Sequence, residues 1–410
     1  MGDTTDLLLA ALEDAIRGDE EAARERLRRL EEDTSAALEE FFGSGAEGVR
    51  RQISGNFEDL SRMASAVAVL RSVPAAGRDR FLAHGERISA AVVARALQAR
   101  GLPAAAFDAR EIVITDGCFG RALPDFPEIE KRARERLLPA AGRGEIPVLA
   151  GFIGSTRSGE TTTLGRGGSD WSAAILGVSL GASVVEIWTD VGGMMTADPR
   201  VVPEARVIET ISFEEASELA YFGARVLHPL TLAPAVEKGI PVRIRNSRDA
   251  GPPGTEIRRD APPGPAAVLS IASKSGISTV DIITSRMLMA SGFLQTLFEV
   301  FARHGTPVDL VTTSEVSVSV TVDDLTRLGE IRRDLEKIAQ VEVAGHRSIV
   351  CLVGRDLKFK PGIAARIFRA VEDINILMIS QGASRRNVSF VVEEKDAEAA
   401  VRRLHAEFFP

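Results

Sequence analysis

Apolar positions recur at helical spacing from residue 5 to about 42, with Leu7, Leu8, Ala11, Leu12 and Ala15 on one face. Glu/Arg pairs at helical spacing cover the other face, and the run DEEAARERLRRLEED reads as a solvated helical surface. Gly43-Ser-Gly45 breaks the pattern, which resumes at about 47–73 and 77–99. The rhythm then changes. Ala109–Thr115 alternates as a strand, and Asp116–Ala122 follows as a turn. The apolar run PVLAGFI predicts a buried strand ending at Gly154. A polar turn and a helix from Trp171 come next. Val184–Asp190 is a further strand, 191–200 a loop off its C-terminal end, and Pro241–Asn246 the last strand of this region.

Residues 248–265 hold five prolines and three glycines, which marks a domain boundary. Beyond it an internal repeat appears at an offset of 70 residues. Gly292-Phe-Leu-Gln-Thr-Leu-Phe298 matches Gly362-Ile-Ala-Ala-Arg-Ile-Phe368, each opening a helix. Each copy ends in an alternating strand, Val316–Val320 and Val388–Val392.

A length of 410 residues suggests two or three domains, and 45% hydrophobic content is ample for packed cores. The net charge of −8, without a basic stripe interleaved with aromatics, argues against nucleic-acid binding. The two cysteines, Cys118 and Cys351, make no metal or redox motif and read as buried thiols in a reducing cytoplasm. The start lacks the basic segment of a signal peptide. The weakly charged run between Asp170 and Glu186 is too short to span a membrane.

The candidate chemistry centres on Gly151–Asp170, GFIGSTRSGETTTLGRGGSD. A glycine-rich turn between strand and helix aims free N–H groups at an anion. Six Ser/Thr hydroxyls from Ser155 to Thr163, with Arg157 and Arg166, add donors and charge. Gly154 and Gly159 have P-loop spacing, but Glu160 stands where that loop needs lysine, and a carboxylate there would repel phosphate.

The string TTTLGRGGSD resembles the signature of aspartokinases, in the amino-acid kinase family. The similarity extends through His84-Gly-Glu-Arg-Ile-Ser89, a segment that opens a helix in that family. It continues in Thr189-Asp-Val-x-Gly-x-x-Thr-x-Asp-Pro-Arg200 and in Ile211–Pro229. The resemblance implies an α/β amino-acid kinase fold: an open, mostly parallel sheet with helices on both faces. It implies phosphoryl transfer from MgATP to the side-chain carboxylate of L-aspartate, early in lysine, threonine and methionine biosynthesis. By the same match, Arg166 clamps the substrate carboxylate, and Glu86 and Asp170 hold its ammonium, with Thr5, Gly167 and Ser169 beside them. Gly154, Ser155, Thr189, Asp190, Met195, Arg200 and Arg225 would contact ATP. Met195 stands where the family has Tyr, and Arg225 where it has Lys. His228 reads as a structural residue at a helix end. The magnesium is expected on the phosphates, with no dedicated metal-ligand set in the chain.

The repeat resembles a tandem pair of ACT domains, small βαββαβ units that bind amino acids at their seam. Met287–Leu294 with Val308–Val316 looks like the lysine-inhibited type. That implies an effector site of Met287, Gly292, Phe293, Leu294, Val308, Asp309, Ser314 and Glu315, with lysine as effector and a homodimer or higher oligomer. The expected domains are a kinase domain at 1–258, a linker at 259–266 and ACT domains at 267–410. The resemblance covers residues 3 to about 408 and leaves the family's first βαβ unit, with its Lys-Phe-Gly-Gly-Thr-Ser-like loop, unmatched. Low or absent activity is therefore expected of the polypeptide as written. The alternative function is a catalytically impaired, amino-acid-sensing regulatory subunit. Acetylglutamate and uridylate kinases are disfavoured by the ACT pair and by the matches at Glu86 and Thr189–Val191.

Overall fold

The computed structural model describes residues 4–222, 229–261, 267–284 and 292–410. Arg225, His228 and Met287 lie outside them. The chain forms two compact units, one of Met1–Ile187 with Leu230–Val242, the other of Trp188–Pro229 with Arg243–Pro410.

The first unit opens with four helices, α1 (Thr4–Ile16), α2 (Glu20–Phe42), α3 (Ala46–Leu70) and α4 (Ala75–Ala99). Their inward faces form one cluster around Leu8, Leu12, Ile53, Leu60 and Phe81. The single helix expected over 5–42 is in fact two. Gly18 turns the chain at φ 86°, and Asp19 then caps α2 by accepting the Ala22 N–H at 3.0 Å. An aspartate after a left-handed glycine is a start signal that the continuous amphipathic pattern hides.

Next come β1 (Ala104–Phe107), β2 (Ile114–Thr115), α5 (Phe126–Gly142), β3 (Ile146–Leu149), β4 (Ile153–Thr156), β5 (Thr161–Thr163) and α6 (Gly168–Leu180). β1 pairs with β3 and β2 with β4, both parallel, while β4 and β5 form an antiparallel hairpin. Two expected strands are corrected here. Ala109–Glu111 is a 3-10 turn, so only Ile114 and Thr115 of that stretch are extended. PVLAGFI is broken at Ala150–Phe152, where Phe152 takes φ 68° and the chain passes from β3 to β4.

β6 (Val185–Thr189) follows, then β7 (Thr210–Ser212), α7 (Phe213–Tyr221), α8 (Pro229–Glu237), β8 (Val242–Asn246) and β9 (Thr255–Arg258). β7 and β9 pair in parallel. The proline-rich stretch thus contains a strand. Gly254, at φ 75°, lets β9 start against the backbone of β8, where a Cβ would lie 1.9 Å from the Ile244 carbonyl oxygen.

The rest of the second unit is β10 (Val268–Ile283), α9 (Phe293–Arg303), β11 (Val311–Thr313), β12 (Ser317–Val322), α10 (Leu328–Leu335), β13 (Gln340–Gly354), α11 (Ile363–Ala370), β14 (Met378–Gln381), β15 (Asn387–Glu393) and α12 (Ala397–Phe408). These strands make one antiparallel sheet in the order β11-β12-β10-β13-β15-β14, with the long β10 and β13 shared between the two repeats. The repeat glycines do the same work, Gly292 and Gly362 capping α9 and α11 at φ 90° and 78°. Two buried clusters lie in this unit, one around Phe301 and Val320, the other around Phe390 and Leu404. Among the described residues no helix is long and apolar enough to cross a membrane.

Candidate active site

In the first unit the site is built around α4. His84–Ser89 lies inside this helix, not at its start, because the helix already begins at Ala75. Gly85 belongs there sterically, since a Cβ would come within 3.1 Å of a Thr4 methyl and 3.2 Å of Leu8. The start of α1, with Thr5 exposed, is thereby held against the part of α4 that carries Glu86.

Asp79, two helical turns before Glu86 and 2% exposed, was not singled out by the sequence. Its carboxylate accepts the Gly120 N–H at 2.8 Å, the Thr163 N–H at 2.7 Å and the Thr163 hydroxyl at 3.0 Å. One buried charge thus ties α4 to both the 116–122 turn and β5, and three donors offset its desolvation. Only the spatial neighbours reveal this role; in sequence Asp79 is one acid among many.

The glycine-rich stretch is a hairpin followed by a loop, rather than one turn into a helix. Thr161–Thr163 are β-branched and extended, and they pair with Ile153–Ser155. On its other side β4 lies close to the Val113–Thr115 segment, which Gly154 permits, because a Cβ would lie 2.4 Å from the Val113 carbonyl oxygen. Most of the hydroxyls are already committed. Ser155 donates to the Arg110 carbonyl at 2.5 Å, Thr115 and Thr162 share a 2.7 Å bond, and Thr156 meets Ser158 at 2.8 Å. Arg157 is paired with Asp125 at 2.6 Å. Gly154 and Ser155 are buried, so they form the floor of the loop.

After β5 the chain turns back through Gly165–Gly167. Gly167, at φ 70°, places Gly168 at the start of α6. Phe152, in its left-handed conformation, is held from both sides. Its N–H donates to Ser172 Oγ at 2.9 Å and its carbonyl accepts the Leu164 N–H at 2.9 Å. A strained non-glycine residue is kept only where its surroundings over-determine it, and this one pins the start of α6 to β4.

Three charged groups stand out here by what they lack. Arg166 is exposed, Glu86 and Asp170 are half-buried, and among the described residues none of them has an ion pair or side-chain hydrogen bond. Burial pushes the carboxyls of Glu86 and Asp170 above the ordinary carboxylate range, with no cation opposing it. Ser169 and Thr5 are exposed.

The second unit holds the other predicted segment. Thr189 donates to Asp190 at 3.1 Å, and the Arg200 guanidinium grips Asp198 at 2.6 and 3.1 Å. Met195 is half-buried, and its carbonyl accepts the Ser270 hydroxyl at 2.7 Å. The next residue, Thr196, is 8% exposed and meets His405 Nε2 at 3.0 Å, while its carbonyl accepts the Ile271 N–H at 2.8 Å. The loop is therefore built into the sheet of the C-terminal repeats, which its sequence did not announce.

Among the predicted effector residues, Gly292, Leu294, Ser314 and Glu315 are exposed, and Phe293 and Val308 are half-buried. The Asp309 side chain is 3% exposed and fully engaged, by Lys274 Nζ at 3.0 Å to each oxygen and by the Tyr221 hydroxyl at 2.7 Å. Cys351 is buried, as expected; Cys118 is exposed instead, at the 116–122 turn.

A glycine-rich hairpin leading to a helix, the uncompensated Glu86 and Asp170, and a sheet of repeated units suit a small-molecule kinase with a regulatory half. The profile of the amino acid kinase family matches residues 2–246, and that of an ACT domain residues 350–408. The chain belongs to the amino acid kinase family. It is 40% identical over 369 residues to lysine-sensitive aspartokinase 3 of Escherichia coli, covering 88% of this chain and 81% of that protein. It is 38% identical over 373 residues to chloroplastic aspartokinase 3 of Arabidopsis thaliana, covering 87% of this chain and 66% of that one. The fold matches E. coli aspartokinase III in complex with lysine and aspartate (T-state) at a TM-score of 0.86 and 38% identity, covering 100% of this chain and 91% of that one. It matches the same enzyme with aspartate and ADP (R-state) at 0.83 and 37%, covering 100% and 92%. Within its family, then, the chain belongs with the aspartokinases.

Proposed function

We propose that the chain transfers the γ-phosphoryl group of MgATP to the side-chain carboxylate of L-aspartate, giving 4-phospho-L-aspartate, under feedback by lysine. The observation that carries this reading is the set of uncompensated charges in the first unit. Two half-buried carboxylates without a cation, Glu86 and Asp170, suit an α-ammonium, and the unpaired Arg166 suits an α-carboxylate. Thr5, Gly167 and Ser169 complete the amino-acid pocket.

The acceptor carboxylate is already an anion, its reference pKa being about 4. No general base is then needed. Catalysis reduces to aligning two anions and cancelling their repulsion. Gly154 and Ser155 shape the floor, Thr189, Asp190, Met195 and Arg200 take the nucleotide, Arg225 is assigned to its phosphates by its place in the family motif, and Mg²⁺ arrives on them. The kinase half is assigned to 1–258 and the ACT half to 267–410, joined by 259–266, with the ACT units associating across chains and holding the effector near Gly292, Asp309 and Ser314.

A coupled ADP-release assay tests this. Turnover with L-aspartate, inhibited by L-lysine, is the expected result, in place of the low or absent activity expected from the unmatched N-terminal loop. Absence of aspartate-dependent turnover while L-lysine still binds would favour the regulatory-subunit reading instead.

A further inference from the structure

Asp309 is a buried carboxylate whose place for a ligand ammonium is already filled from inside the protein. Lys274, on β10, contacts both its oxygens at 3.0 Å, and the Tyr221 hydroxyl donates to one of them at 2.7 Å. Lys274 also has a second carboxylate within reach. Asp323 lies 2.8 Å from the same Nζ, and its side chain is 42% exposed. The ammonium sits 5.3 Å from the centre of the Tyr221 ring as well. A diamino effector entering beside Asp309 therefore meets an occupied site. If Lys274 yields, it keeps Asp323 and gains water, while the newcomer takes over Asp309. Neither arrangement leaves a buried charge unpaired, so both are stable, and a ligand can choose between them.

Tyr221 is the last residue of α7, and that helix is held to the repeats along its length. Its first turn is fixed by a capping box between Ser212 and Glu215. Glu214 pairs with Arg386, and Glu218 accepts from Ser384 and Asn387 at 2.6 Å each. Among these bonds α7 touches the first repeat through Tyr221 and the second through Glu214 and Glu218, and Glu215 also pairs with Arg355 at 3.7 Å. Burial and the neighbouring Asp309 charge push the Tyr221 phenol upward, which keeps it a donor. Arg225 follows it by four positions.

Resting on the lysine-feedback reading, we propose that Lys274 is an internal competitor for the effector's ammonium at Asp309, and that Tyr221 passes its displacement to α7. Lys274 sets the effector threshold, and Tyr221 is a positioning residue for the response. The expected ligand is an amino acid with a second, side-chain ammonium. The displacement is an ion exchange with no covalent step.

Calorimetric titration with L-lysine, run beside the kinase assay, tests this on the full chain. Lys274→Met removes the competitor and keeps the apolar stem; it should tighten L-lysine binding by at least about tenfold, the change expected when an incoming charge no longer has a rival. Asp323→Asn removes the fallback and should weaken binding several-fold. Tyr221→Phe should bind L-lysine nearly as wild type but retain substantial activity at saturating L-lysine. Opposite signs for the first two variants cannot come from a general loss of fold. Unchanged or weaker binding by Lys274→Met overturns the competitor, and full inhibition of Tyr221→Phe overturns the relay. A wild-type chain that phosphorylates aspartate without binding L-lysine overturns the feedback reading, and this inference with it.

Discussion

Glu86 and Asp170 are held partly out of water with no cation beside them among the described residues, and that makes the empty protein less stable than it need be. The sign with pH follows. Burial raises both carboxyls, so the folded chain binds their protons more tightly than the unfolded one. Their contribution is fully favourable below about pH 4 and is lost as pH rises through the raised values. Glu86→Gln should therefore melt higher than wild type at pH 7 without substrate, the gap closing as pH falls towards 4. The same variant should raise the KM for aspartate about tenfold or more, the size of a lost charged hydrogen bond. A lower melting temperature together with an unchanged KM would refute both halves. A thiol count gives a second check at this scale. Cys118 should react with a disulfide reagent in the native chain and Cys351 only after unfolding, because Cys351 is 0% exposed. The Cys118 reaction should be slow at neutral pH, since a hydrogen bond to Asp116 raises its thiol. The residues of the TTTLGRGGSD string were legible because the signature is long and local. Asp79 and Lys274 were not, because each acquires its meaning from partners 84 and 35 positions away.

Helices were legible where their apolar stripes were long, as in α3 and α4. The hidden features were the joints: the Gly18–Asp19 break, the Phe152 corner and the β4–β5 hairpin. In each, a single backbone conformation decides, and hydrophobic periodicity carries no signal for it. β9 was missed for a related reason. Of its two neighbours in the sheet, β8 and β7, the parallel partner β7 lies more than forty residues earlier, and composition around β9 favours a linker. The hairpin's support can be measured. Asp79→Ala strands the Gly120 and Thr163 N–H groups and should cost roughly 3 kcal/mol in denaturant unfolding. It should also lower kcat, because the loop leading to Arg166 loses its anchor. Gly154→Ala forces a Cβ to 2.4 Å from the Val113 carbonyl oxygen and should be worse still, yielding chain that fails to accumulate in soluble form.

For the whole molecule, the division into units cuts through β6 and β8 rather than through the proline-rich stretch. The 191–200 loop and the C-terminal repeats pack as one body, joined at Thr196 and His405. His405→Leu should consequently raise the KM for ATP several-fold, about the value of one buried hydrogen bond, and leave that for aspartate unchanged. An equal effect on both substrates would contradict that division. The Thr196–His405 bond also sets a schedule for synthesis. Its two ends are 209 residues apart, so at roughly 5–20 residues per second the ribosome needs about 10–40 s to supply the second after the first. A nascent chain cannot finish its 191–200 loop ahead of its C-terminal repeats, and the first fully folded kinase to leave the ribosome already carries its regulatory half.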